Sequence, residues 1–156
     1  MILRRIISGG QTGVDRGGLL AAHALKLERG GTAPKGWRAE DGVIPEWFRA
    51  GMVECTIAGW PARTEANICT SDATLIMVWN KRLSGGTKLT YELCQRLRKP
   101  YRVEHLGVAT NQARRSLLDW LESYEVVTVN VAGPRESKEP GIQALTSSFL
   151  HAMLAE

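Results

Sequence analysis

The sequence predicts an α/β fold, a single Rossmann-like domain over residues 1–156 built as a three-layer sandwich with a mainly parallel sheet and helices on both faces. Short apolar runs alternate with segments of helical periodicity along the whole chain, the pattern of βα units. The run Leu75-Ile76-Met77-Val78 is apolar on both faces, as a central strand covered from both sides must be. Size agrees: 156 residues make one domain of ordinary length. Such a chain buries roughly 70% of its unfolded surface, so it needs no disulfide or metal staple.

Taken in order, a strand is expected over 3–7. A helix follows from Val14, where positions 14, 17, 18, 21, 24 and 25 form a face of Val, Gly, Gly, Ala, Ala and Leu small enough to lie close on a sheet. A glycine-weakened strand is expected over 28–32 and a poorer one over 53–57. The stretch from Thr32 to Ala62 is turn-rich and reads as a long irregular segment. The strongest strand spans 73–79. Leu89, Leu93 and Leu97 mark a helix after it, and a strand is expected over 101–106. Ala113, Leu117, Trp120, Leu121 and Tyr124 mark another helix, followed by a strand over 126–132 and a last helix over 142–154.

Composition excludes several function classes. Hydrophobic residues at 44% and charged ones at 23% argue against disorder. Twenty Lys and Arg against sixteen Asp and Glu leave a net +4 with the cations scattered, short of a nucleic-acid footprint. No apolar run is long enough to cross a bilayer, and Met1-Ile2-Leu3-Arg4-Arg5 has no signal-peptide core. Cys55, Cys69 and Cys94 are odd in number and widely spaced, the pattern of reduced thiols in a cytoplasmic protein.

The chemistry concentrates in three glycine loops, each following a strand. The first is Ser8-Gly9-Gly10-Gln11-Thr12-Gly13, opening the helix at Val14; it has neither Walker A nor dinucleotide-fingerprint spacing. Thr12 with Asp15 reads as a capping box. The second is Ser84-Gly85-Gly86-Thr87, and the third runs through Gly133, Pro134, Arg135 and Ser137. Glycines leave backbone N–H groups unobstructed at helix N-termini, where anions bind. Ligands of open α/β sheets bind at the carboxyl edge of the strands, so three loops there predict a shared anion site.

Around that site, Lys35, Arg135 and Lys138 are candidate neutralisers of a phosphate, and Arg63 a candidate bidentate contact or a solvated surface residue. Asp15 faces its own helix dipole or receives a ligand donor. Glu40 and Asp41 either reach a heterocycle edge or are solvated. Trp37, Trp47 and Trp60 either stack on a flat ring or pack in a core or interface. His23, His105 and His151 stand apart from one another, so no directly coordinated metal is expected.

These loops, with Pro34-Lys35-Gly36, Ala39-Glu40-Asp41-Gly42, Arg63-Thr64-Glu65-Ala66-Asn67 and Ser71-Asp72-Ala73-Thr74, follow one another over nearly the whole chain. In this the sequence resembles the molybdenum-carrier family, within the LOG/lysine-decarboxylase-like Rossmann superfamily. The resemblance implies binding of the molybdenum cofactor, a phosphorylated pterin, as cargo for storage or transfer. It adds Asn67 to the candidate ligand contacts. It also implies a homodimer or homotetramer, which would help cover the five tryptophans.

The superfamily also holds LOG-type phosphoribohydrolases, which cleave nucleoside 5′-monophosphates. Their pattern sets an Arg nine residues before the Asp that opens the central strand, and a Glu seven residues after the first Gly of the second loop. Arg63 before Asp72 and Glu92 after Gly85 keep both spacings, whereas Asn80-Lys81-Arg82-Leu83 lengthens the turn between them. On this alternative the ligand is a nucleotide, and Arg63 and Glu92 are catalytic. Single-stranded DNA binding, a third function in the superfamily, lacks a basic groove motif here.

Overall fold

The computed structural model describes residues 1–156. The elements are β1 (Arg5–Ile7), α1 (Val14–Ala24), β2 (Glu28–Ala33), β3 (Arg38–Ala39), β4 (Gly42–Val43), a 3₁₀ turn (Glu46–Arg49), β5 (Met52–Glu54), α2 (Trp60–Thr70), β6 (Ala73–Val78), α3 (Gly85–Arg96), β7 (Tyr101–His105), α4 (Asn111–Ser123), β8 (Thr128–Ala132) and α5 (Ile142–Leu154). Six strands form one sheet in the order β5-β2-β1-β8-β6-β7, every pair parallel. A separate antiparallel hairpin joins β3 to β4. From β1 the chain moves outward through β2 to β5, and from β6 it moves the other way to β7. It returns last to β8, between the two halves. That reversal of strand order opens a crevice at the carboxyl ends of the central strands.

The two faces of the sheet are held differently. On one, α1, α4 and α5 cover Ile6, Leu75, Met77, Val129 and Val131 in a cluster of 19 buried residues. Each buried Val, Leu or Ile there contributes about 1.5–3 kcal/mol, so this face supplies most of the stability. The helix from Val14 approaches as closely as its small residues predict. A Cβ on Gly17 would come within 2.6 Å of the Gln143 carbonyl on α5, and one on Gly18 within 3.0 Å of Val131. At the start of α4 the Thr110 hydroxyl accepts the Ala113 N–H at 3.1 Å, a side-chain cap.

On the opposite face α2 and α3 share only three fully buried apolar residues, Ile68, Leu93 and Cys94. There polar bonds supplement the packing. Asn67, buried on α2, accepts the Thr32 N–H at 2.7 Å and donates to the Thr32 carbonyl at 2.9 Å, fastening α2 to β2. Asn67→Ala leaves both backbone groups unpaired in a buried place, and is expected to lower unfolding free energy by ~1–3 kcal/mol. Urea denaturation matching wild type within error would refute that role. No helix is long and apolar enough to cross a membrane.

The stretch from Thr32 to Ala62 is not irregular. It holds the end of β2, the β3–β4 hairpin, the 3₁₀ turn, β5 and the first turn of α2. Ile44 and Met52 from this stretch pack with Leu19 and Ala33 in a second small core. The strand expected over 53–57 lies at Met52–Glu54.

Candidate functional site

A cavity of about 380 Å³ lies at the carboxyl edge of β8 and β6. That volume falls in the range of small-molecule sites, ~300–1,000 Å³. The β1–α1 segment contributes Gln11 and Asp15, and the start of α2 contributes Trp60, Pro61, Arg63 and Thr64. Ser84, Gly85, Gly86, Thr87, Leu89 and Thr90 enter from the start of α3, and Gly133, Pro134, Arg135 and Lys138 from the loop before α5. All three glycine loops therefore meet at one place.

They do not play the same part. At α3, Ser84 is the N-cap but its hydroxyl makes no capping bond. The N–H groups of Gly85, Gly86 and Thr87 precede any intrahelical acceptor and donate to no other protein group. Lys138 Nζ stands 2.8 Å from where a Gly85 Cβ would be, adding positive charge to the helix end. This is the open anion cradle expected of a glycine loop.

In the first loop, Ser8 to Gly13, where the amides are expected to bind phosphate, protein side chains meet several of those N–H groups. The Gln11 N–H donates to Asp15 Oδ2 at 3.2 Å, Thr12 N–H to Gln11 Oε1 at 3.0 Å, and Gly13 N–H to Gln143 Oε1 at 3.2 Å. Gly10 N–H donates to the Ser8 hydroxyl at 3.3 Å, which itself donates to the Asp15 carbonyl at 2.9 Å. The capping box is absent as well: Gly13 is the N-cap, and the Thr12 hydroxyl donates to Glu40 instead. The anion held in this loop is the Asp15 carboxylate itself.

Arg63, on α2, braces the first loop. Its Nη1 lies 3.3 Å from Asp15 Oδ2, its guanidinium stacks 5.2 Å from the Trp60 ring, and it lies flat on Gly9, where a Cβ would overlap it. Gly9 is thus required by Arg63 rather than by a ligand. Arg63 Nε is buried with no protein partner. Burial pushes the Asp15 carboxyl above the usual carboxylate range, against the opposing pull of Arg63, the Gln11 N–H and Arg16.

Other expected contacts serve the frame. Glu40 ties the β3–β4 hairpin to the far side of the site. It accepts from the Thr12 hydroxyl, from the Ser137 N–H at 3.1 Å and from the Ser137 hydroxyl, and pairs with Arg135 Nε at 3.3 Å. Burial works against the charge of Glu40, yet the bonds from Ser137 and Thr12 and the Arg135 cation hold it below its ordinary range. Asp41 forms a two-pronged pair with Arg16 at 2.7 and 2.9 Å, and those hydrogen bonds hold it low too. Neither acid faces the cavity.

Ser8, Gly9, Gly10, Thr12, Gly13, Lys35, Asn67 and Ser137 are likewise outside its lining, whereas Gln11, Arg63, Ser84, Gly85, Gly86, Thr87, Gly133 and Arg135 are within it. Lys35 is exposed on a turn, and Asn67 is the clamp on β2. Glu92, placed beside the cleft from its helical position, is exposed, pairs with Lys88 at 3.9 Å and does not line the cavity. Trp60 does line it; Trp37 packs under Arg49 and Trp47 under Arg29. On α2 the lining residues missed in sequence are Pro61 and Thr64. The signal for them is Gly59 followed by Trp60 and Pro61, a proline in the first turn of a helix.

Residues 6–154 match the circularly permutated YpsA SLOG family. The chain belongs to that family. Among solved structures, this SLOG member is similar to a crystal structure from Syntrophus aciditrophicus SB named "Putative molybdenum carrier protein". The two are 35% identical, with 99% of this chain and 96% of that chain covered and a TM-score of 0.90. No curated protein matches the chain. No group of three or more His, Cys, Asp or Glu side chains is placed to hold a metal ion.

Proposed function

We propose that this SLOG domain is a binding protein for a phosphorylated heterocycle, with the molybdenum cofactor as its cargo. The observation that carries the reading is the meeting, in one cavity, of three unpartnered N–H groups at the start of α3 with Arg63, Arg135 and Lys138. Helix N-terminus and cations together favour a phosphate. Trp60 brings an aromatic ring to the lining of the same cavity, with Arg63 over it. The choice of cargo is supported by the name of the 35%-identical carrier.

The placement of Glu92 weighs against the phosphoribohydrolase alternative. A carboxylate that acts on a sugar must reach it, and this one points to solvent and Lys88. Protein purified from cells that make the cofactor is expected to release a pterin, read by mass spectrometry and by fluorescence after oxidation. Incubated with AMP or GMP it should free no base. Release of base, abolished in Glu92→Gln, would replace this reading with the hydrolase. Inorganic phosphate should shift the amide resonances of Gly85 to Thr87 and leave those of Gly9 to Gly13 nearly unmoved. The reverse pattern would move the anion site to the first loop.

A further inference from the structure

Asp15 is the one carboxylate in a wall otherwise suited to an anion. Its side chain is 6% exposed, and Oδ2 lies 3.3 Å from Arg63 Nη1. Asp15 and Arg63 line the same cavity, so an anion that takes the remaining N–H groups of Arg63 comes up against Asp15, and like charges at such close range repel strongly inside a protein. The groups facing Asp15 are Arg63 from α2, Arg16 on its own helix, and the N–H groups of Gln11 and Gly9. Across the cavity stand Arg135 and Lys138; α3 brings the hydroxyls of Thr87 and Thr90 but no titratable group, and no histidine lines the site. One proton between Asp15 and the anion removes the repulsion and replaces it with a hydrogen bond. Burial already favours that proton on Asp15, against the pull of Arg63.

We propose that Asp15 selects the anion: the cavity takes an oxyanion that shares a proton with Asp15, such as phosphate or a phosphate monoester, over an aprotic oxyanion of the same shape, such as sulfate. This rests on the reading of the cavity as an anion site. A phosphate monoester keeps its second proton up to a pKa of ~6 and regains it readily beside a carboxylate. Sulfate brings none, so Asp15 must take one from solvent before sulfate binds.

The test titrates sodium phosphate and sodium sulfate separately at constant ionic strength, near pH 6.5, following the amide resonances of Gly85 to Thr87. Wild type is expected to bind phosphate at least ~tenfold more tightly than sulfate. Asp15→Asn, which replaces the charge with an amide of equal size, should bring the two to within about twofold by raising sulfate affinity. A second measurement needs no variant. Wild-type sulfate affinity should fall as pH rises from about 5 to 8, by up to about tenfold per unit for one linked proton. Equal affinities in wild type, a preference kept in Asp15→Asn, or a flat sulfate profile each overturn the selection. If neither anion binds at any pH, the anion reading of the cavity fails, and the role of Asp15 with it.

Discussion

Gly13→Ala is expected to lower the unfolding free energy by at least ~3 kcal/mol, from two effects that act together. Gly13 has φ 81° and ψ −131°, a region that side-chain-bearing residues enter at a cost of ~1–3 kcal/mol. The space is also filled. A Cβ there meets the Pro134 carbonyl, and lies 2.7 Å from the Glu136 nitrogen and 2.8 Å from the Arg135 carbonyl carbon. These are backbone atoms of the loop that holds Arg135 and Lys138, and they cannot rotate aside as a side chain would. Overpacking of this kind costs ~1–3 kcal/mol more. Moving that loop would also strain the bond from Val14 N–H to the Pro134 carbonyl at 3.1 Å, so α1 and the site would loosen together. Gly86→Ala is the control: nothing lies within 4 Å of its added Cβ, its φ is not positive, and alanine favours the helix. Urea unfolding should separate the two variants clearly. A Gly13→Ala protein as stable as Gly86→Ala would refute the crowding at this turn.

The sheet was legible because its central strands carry their burial in their composition. Every residue of β6 is buried, and an apolar run of that length between turns has few other readings. α1, α3 and α4 each show a stripe of small or apolar residues at helical spacing, and all three stand where the stripe places them. α2 has no such stripe. Its inward positions carry Arg63, Asn67 and Ile68, because that face meets Asp15 and the backbone of β2 rather than an apolar core. Hydrophobic periodicity cannot find a helix whose partners are polar. The hairpin of β3 and β4 escaped for another reason: two residues per strand are too few for alternation to register.

The site was legible as a place and less so as a set of contacts. Strand–glycine–helix order locates the carboxyl edge, and the three loops do converge there. Which loop is open depends on distant residues. The amides of the first loop are taken by Asp15, just after it in α1, but also by Gln143, 130 positions from Gly13. Nothing in the local string Ser8 to Gly13 distinguishes a loop that holds a ligand from one that holds its own carboxylate. Glu92 shows the complementary failure. Its spacing from Gly85 matches an enzyme pattern, yet spacing along a helix fixes only an angle, and here that angle points to solvent.

Arg63→Ala should show a loss of stability and a loss of binding that can be separated by a second substitution. Without Arg63, Asp15 is a buried carboxylate with no partner cation at 3.3 Å, and the space above Gly9 empties. Removing one member of a buried pair typically costs ~3–5 kcal/mol, and the lower end applies because Arg63 borders an open cavity. Protonation of Asp15 relieves the penalty, so the variant should regain part of its stability as pH falls toward the carboxylate range. That is the sign required of an acid whose folded form favours the proton: the stability it gives is present below its folded pKa and lost above it. Adding Asp15→Asn to Arg63→Ala removes the orphaned charge and should restore most of the stability at neutral pH. It cannot restore the cation that meets the ligand, so phosphate affinity should stay lower by ~1.5–3 kcal/mol in single and double variants alike. A double-mutant cycle in urea, with phosphate binding measured on the same proteins, reads both effects. An Arg63→Ala protein of wild-type stability, or a double variant no more stable than the single, would show that Arg63 does not neutralise Asp15. Phosphate binding at wild-type strength in either variant would remove Arg63 from the anion site.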